Sequence, residues 1–308
     1  MRARVLLEPR YGATYGQLVA MAQTAEAAGF DAFFRSDHYL GIDADDTSLV
    51  PTDSWTTIAG LARETSRIRL GTLMTAVTFR HPGQLAIAVA TADAMSGGRV
   101  ELGIGTGWYE REHRYFGIPF PSTSERFERL EEALAIITGL WTTPPGERFS
   151  FDGAHWQLEG CANFPQPVQE PHPRIIVGGV GPRRTPRIAA RYADEFNAAL
   201  SGSESGVIEN FHRICGEVGR DRATVTISTV VPVSCGTTKV EAEARRDRLG
   251  DAGRRLLSSG VVGTPADVVA RAEASRAAGA EVVYFHVYDG EDLDHVRLLG
   301  EEVVPALA

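Results

Sequence analysis

The sequence predicts a (β/α)8 barrel of the TIM type with insertions, spanning residues 1–308 as one domain. Three observations carry this. Short apolar segments alternate with amphipathic helical ones along the chain, which implies a parallel sheet. Eight such apolar segments can be counted, the number that closes a barrel. Polar or glycine-rich residues follow several of them, at the strand ends where such barrels bind ligands. A doubly wound open sheet uses the same alternation and is the alternative.

The elements read in order as follows. Val5-Leu6-Leu7 is a short strand. Leu18, Met21, Ala22, Ala25 and Ala28 recur at steps of three and four, giving a helix over 15–28 that Gly29 stops. Phe30 to Phe34 is the second strand. A helix over 54–64 precedes the strand Ile68 to Met74, and a helix over 82–95 precedes the strand Val100 to Ile104. Ser122 and Glu125 have capping-box spacing, and Phe127, Leu130, Leu134, Ile137 and Trp141 then place one apolar stripe against the barrel. The segment 142–173 breaks the alternation. Its six prolines and the run Arg148 to Gly153 predict an insertion with a small hairpin. Beyond it, Arg174 to Val177, Glu195 to Ala198, the β-branched run Val225 to Val231 and Glu281 to Val287 are strands. Helices over 182–192, 203–218, 264–278 and 293–302 separate and follow them, and the connection from Cys235 to Val262 reads as charged and helical.

Composition narrows the function classes. The 308 residues carry a formal net charge of −9, which argues against a nucleic-acid partner. No apolar run has the length of a membrane span, so a soluble cytoplasmic protein is expected. Cys161, Cys215 and Cys235 are odd in number and widely spaced, which predicts buried, inert thiols and neither disulfides nor a metal site.

Four strand ends carry candidate chemistry. Gly103-Ile104-Gly105-Thr106-Gly107-Trp108 allows close backbone approach to a phosphate or a flat cofactor, or is a tight turn; no helix starts directly after it, so it is not a dinucleotide fingerprint. Gly178-Gly179-Val180-Gly181, followed by Pro182 as the opening of a helix and by Arg183, Arg184 and Thr185, is the better phosphate site, because helix starts bind anions. His38 after Ser36-Asp37 is placed to orient a cofactor or move a proton, with Asp37 either its orienting partner or a cap. Gly71-Thr72-Leu73-Met74-Thr75 offers small and flexible side chains for a wall behind a ring, or ordinary core. Trp108, Tyr109, Glu110 and His113 lie nearby in sequence; Glu112 and His113 do not make a metal pattern.

Taken in order, Arg35-Ser36-Asp37-His38-Tyr39, Leu70-Gly71-Thr72, Thr78-Phe79-Arg80-His81-Pro82, Ser96-Gly97-Gly98-Arg99, Gly105-Thr106-Gly107-Trp108, Glu112-His113 and Gly178-Gly179-x-Gly181 resemble the luciferase-like monooxygenase superfamily. More narrowly the chain resembles its deazaflavin branch, which uses coenzyme F420. The resemblance implies a barrel with insertions, commonly a homodimer, that moves a hydride between coenzyme F420 and a small organic substrate. FMN with oxygen, or a silent cofactor-binding barrel, are the other readings. The resemblance implies that the cofactor meets Asp37, His38, Thr72, Leu73, Met74, Thr106, Gly107, Trp108, Gly178, Gly179, Val180, Gly181 and Thr185, with His38 catalytic. It also implies a non-prolyl cis peptide at Leu73–Met74. Two positions depart from the branch that oxidises glucose 6-phosphate. Trp108 stands where that branch has glutamate, and Ile42 where it has tryptophan, so oxidation of that sugar phosphate is not expected. His38, Glu8 and Glu110 remain as acid–base candidates.

Overall fold

The computed structural model describes residues 1–9, 12–41, 51–162, 164–200 and 204–308. Ile42 lies outside them. The elements in chain order are β1 (Arg2–Leu7), α1 (Tyr15–Ala27), β2 (Ala32–Arg35), α2 (Ser54–Glu64), β3 (Arg69–Thr72), β4 (Thr75–Ala76), α3 (Pro82–Ser96), β5 (Val100–Gly105), α4 (Glu110–Phe116), α5 (Thr123–Thr142), β6 (Phe149–Asp152), β7 (Gln157–Cys161), β8 (Arg174–Gly178), α6 (Arg184–Tyr192), β9 (Glu195–Leu200), α7 (Glu204–Val218), β10 (Thr226–Cys235), α8 (Lys239–Arg248), α9 (Gly250–Leu256), β11 (Val261–Gly263), α10 (Pro265–Ala277), β12 (Val282–Val287) and α11 (Leu293–Leu298).

Eight of the strands form a closed parallel ring in the order β1, β2, β3, β5, β8, β9, β10, β12. Closure decides against the open doubly wound sheet, because β10 pairs with both β9 and β12 and no edge is left within the ring. The short β4 extends the ladder beside β5, and β11 does so beside β10.

Strand alternation sorts the side chains into two cores. Val5 and Leu7 of β1 face outward into the large layer between barrel and helices. Leu6, Phe34, Ile176, Val230 and Tyr284 form a separate inner cluster within the barrel, joined by Leu73 and Met74. Below that cluster lies a polar layer. The fully buried Arg4 donates to Glu101 at 2.8 Å, to Glu195 at 3.3 Å and to the Tyr284 hydroxyl at 2.7 Å. Every charge there has an opposite or hydrogen-bonded partner, the condition under which buried charge is tolerated.

Helix ends follow local chemistry. Thr14 and Gln17 make a reciprocal capping box at α1. At α5 only half of the expected box forms. Ser122 accepts from the Glu125 amide, but the Glu125 carboxylate turns to Arg129 four residues on. Leu130, Leu134, Ile137 and Trp141 are buried as the stripe requires, and Phe127 is partly buried. The insertion holds the antiparallel hairpin β6–β7. Cys161 on β7 is only half-buried, a departure from the expectation of three buried thiols. Cys215 and Cys235 are buried, and burial pushes the Cys235 thiol up to about 12.

Candidate active site

The alternation that fills the barrel continues one step past the strands and brings polar residues to its C-terminal mouth. Glu8 follows Arg4 and Leu6, Ser36 follows Ala32 and Phe34, and His286 follows Val282 and Tyr284. These residues meet. The Ser36 hydroxyl donates to Glu8, whose other carboxylate oxygen lies 3.5 Å from His286 Nε2. The Tyr288 hydroxyl is 3.0 Å from His286 Nδ1. His286 Nε2 is buried and has no hydrogen-bond partner among the described residues. The reading from sequence kept Glu8 but missed His286 and Tyr288. The signal was available, since position 286 has the parity of the inward-facing 282 and 284.

His38, two residues beyond Ser36, is held by an acid from another element. Its Nδ1 lies 2.9 Å from Glu112 Oε1 on α4, and Glu112 Oε2 accepts the Tyr39 amide at 3.0 Å. Glu112 is 1% exposed, so its carboxylate is fixed by these two donors in a dry setting. The carboxylate accepts only, so His38 Nδ1 carries the proton toward it and Nε2 is the basic nitrogen. Among the described residues His38 Nε2 has no hydrogen-bond partner.

Asp37 is not the partner of His38. It pairs with Arg80 at 2.5 Å, and Arg80 also binds Asp53 and the Tyr39 hydroxyl. Burial alone would raise Asp53, but the Arg80 guanidinium holds it down at about 2. The buried Asp37 therefore anchors the wall behind His38 and presents no free carboxylate to a ligand. His113 is also structural. Its Nδ1 donates to the Tyr109 carbonyl at 2.8 Å, and its Nε2 accepts from Thr78 at 2.6 Å. Glu110 is exposed at the start of α4, outside the His38–Glu112 pair.

The third strand supplies the floor. The Leu73–Met74 peptide is cis, as the resemblance implies. Thr72 is fully buried and donates its hydroxyl to the Gly103 carbonyl at 2.9 Å, which ties β3 to β5. It braces the floor from beneath. Met74 reaches across to β8. A Cβ at Gly178 would lie 2.5 Å from Met74 Cε and 2.7 Å from Asn197 Cβ, so only glycine fits there.

The opposite side holds a glycine loop and a helix start that could cradle an anion. Gly179 has φ +141°, a conformation favouring glycine. A Cβ at Gly181 would lie 3.4 Å from Thr185 Oγ1, so that hydroxyl faces the loop. The expected helix starts later than Pro182 predicts. Arg184 is its first residue, because the proline sits two positions outside and Arg183 occupies the cap. No side chain caps this helix start. Its free amides, the loop and Thr185 fit a phosphate group. Arg183 is exposed beside them, whereas Arg184 donates to Ser124 Oγ at 3.1 Å and to its carbonyl at 3.2 Å. Thr106 and Gly107 follow the end of β5, next to β8 in the ring, and the Thr106 hydroxyl makes only a long 3.4 Å contact to the Gly107 carbonyl. Val180 is exposed on the loop.

A model of the luciferase-like monooxygenase family matches residues 2–306. The chain belongs to the luciferase-like monooxygenase family. Among family relatives, an F420-dependent glucose-6-phosphate dehydrogenase of Nakamurella multipartita is 37% identical over 181 residues, 58% of this chain and 51% of that enzyme. An F420-dependent hydroxymycolic acid dehydrogenase of Mycobacterium tuberculosis is 33% identical over 231 residues, 74% of this chain and 61% of that enzyme. The chain thus spans about half the length of the glucose-6-phosphate dehydrogenases it matches. The luciferase-like fold is shared in full with a monooxygenase of Streptomyces bottropensis, at a TM-score of 0.83 and 22% identity over 100% of both chains.

Proposed function

We propose that this chain is an oxidoreductase that binds coenzyme F420 and moves a hydride between it and a small organic substrate. The observation that carries the reading is the His38–Glu112 pair at one side of the mouth, facing across the barrel from an uncapped anion cradle. The similarity to F420-dependent dehydrogenases supports the choice of cofactor. Gly178 to Gly181, Thr185 and Thr106 would hold the phosphate, with Gly107 continuing that wall and Trp108 leading from it toward His38, and Leu73 and Met74 would back the ring. When bound, the deazaflavin supplies the hydride acceptor or donor. His38 Nε2 would take the hydroxyl proton as the hydride leaves the carbinol carbon, or return it in the reverse direction. Glu112 would keep the imidazole in the tautomer this needs.

The second reading is a monooxygenase using reduced FMN, favoured by the full-length likeness to the Streptomyces bottropensis enzyme. Titrating the apoprotein with F420 and with FMN, followed by fluorescence, separates the two. The proposal expects tighter binding of F420, and tighter binding of FMN overturns it. Among the described residues no helix is long and apolar enough to cross a membrane. A cytoplasmic homodimer belongs to the same proposal, to be checked by light scattering and cell fractionation.

A further inference from the structure

We infer that the substrate is neutral and carries an aromatic or extended apolar group, which packs on Trp108 while its reacting carbon faces His38. The inference rests on the reading of His38 as the proton-exchanging group.

Trp108 departs from the pattern of the other tryptophans. Trp55, Trp141 and Trp156 are at most 9% exposed, whereas Trp108 is 60% exposed. Its indole is held in place at the mouth. It stacks on Tyr109 with ring centres 5.2 Å apart and meets the His38 imidazole edge-on at 5.6 Å. The Tyr109 hydroxyl donates to the Gly41 carbonyl at 2.9 Å, so the stacking partner is itself anchored. A rigid apolar face beside a basic nitrogen is an arrangement that binds an apolar group in register with a proton-transfer site.

The charges beside it point the same way. Glu112 sets a buried carboxylate against His38, and Glu8 and Asp37 are further buried acids at the same mouth, bonded to Ser36 and Arg80. Among the described residues, arginines of this region are engaged. Arg80 binds Asp37 and Asp53, and Arg35 binds Thr52 and Thr57. Arg111, on the first turn of α4, also has a partner. The chain has one lysine, Lys239, which lies near Asp267 at the start of α10. A phosphorylated substrate beside His38 would meet the buried Glu112 carboxylate, and among the described residues Arg35, Arg80 and Arg111 are already bound elsewhere, an unfavourable arrangement for a dianion.

The test uses the exposure of Trp108. Acrylamide quenching of the native protein reads mainly this indole, because the other three are buried. With F420 bound, 1-phenylethanol should cut the quenching constant at least twofold, and glucose 6-phosphate should leave it unchanged. In turnover, Trp108→Ala should raise KM for 1-phenylethanol at least tenfold with kcat within threefold, and Trp108→Phe should restore most of the loss. Glucose 6-phosphate as the better substrate would overturn the inference. So would a Trp108→Ala enzyme that folds, binds F420 and keeps its KM for 1-phenylethanol. Failure of the native protein to bind F420 at all would instead remove the functional reading beneath it, so the two failures are distinguishable.

Discussion

Replacing Glu112 with glutamine tests the proton-exchange assignment most directly. The native carboxylate accepts from two donors, His38 Nδ1 at 2.9 Å and the Tyr39 amide at 3.0 Å. Glutamine offers one acceptor oxygen and one NH2 group. If its oxygen keeps the Tyr39 amide, its NH2 faces His38 Nδ1 and forces that nitrogen to accept. The imidazole proton then moves to Nε2, the atom proposed to act as base. If the oxygen keeps His38 instead, the half-buried Tyr39 amide loses its acceptor, at a cost of about 1 kcal/mol. The lower-cost outcome is the inverted tautomer, which removes the base without removing a side chain. A positioned base contributes roughly 10²–10⁴-fold to rate. The expected result for Glu112→Gln is therefore a fall in kcat of about that size, with F420 affinity unchanged. Single-turnover hydride transfer, followed by deazaflavin absorbance, measures the first quantity, and equilibrium titration the second. A variant with native kcat and a native pH profile would refute the assignment of His38 as the base.

Four further outcomes follow from the same structure. Arg183→Ala should weaken F420 binding several-fold while Arg184→Ala changes it less, because Arg184 is already tied to Ser124; equal losses in isothermal titration would place both on the ligand. Gly178→Ala should lower both folding yield and cofactor affinity, since the added methyl meets Met74 and Asn197, and a fully soluble variant with native affinity would contradict the packing. Arg4→Met should cost about 3 kcal/mol in denaturant unfolding by taking the shared cation from Glu101 and Glu195, which then keep Arg69 and the Tyr284 hydroxyl as close partners; a loss under 1 kcal/mol would mean those carboxylates are solvated. Burial drives His295 down to about 4 despite the adjacent Asp292, so the folded protein holds it neutral where the unfolded chain would protonate it near 6.5. Its contribution is complete above that value and is lost as pH falls toward 4, about 3 kcal/mol in all; His295→Gln should flatten this part of the stability–pH curve, and an unchanged slope would assign it elsewhere.

The barrel was legible because its strands and helices are punctuated locally. Gly29 stops α1, Pro82 opens α3, and the apolar runs between them have strand length. The α6 boundary was not, because Pro182 marks a helix start only when the next residues fold directly into it, and Arg183 intervenes as a cap. The site divided in the same way. The cradle residues lie within one short loop, and their glycine spacing announces them. The partner of His38 comes from α4, 74 residues away in sequence, and nothing near Asp37-His38 points to it. Asp37 looked like the natural orienting acid because it is adjacent, yet Arg80 claims it. His286 was hidden because a lone histidine in an apolar strand gains meaning only once closure of the ring sets β12 beside β1.

The polar layer at the base of the barrel bears on how the site exchanges matter with solvent. Arg4, Glu101, Glu195 and Tyr284 are all fully buried and bonded to one another, so they act as a stopper in the lower end of the cylinder. Above them the apolar cluster fills the barrel, so among the described residues the mouth is the doorway to the site. On the proposed reading, protons released or consumed during turnover would leave by the route that substrate uses, past His38 and Trp108. A bulky substrate seated in that doorway would then slow proton escape as well as product release, and the solvent isotope effect on turnover would grow with the size of the group lying on the indole.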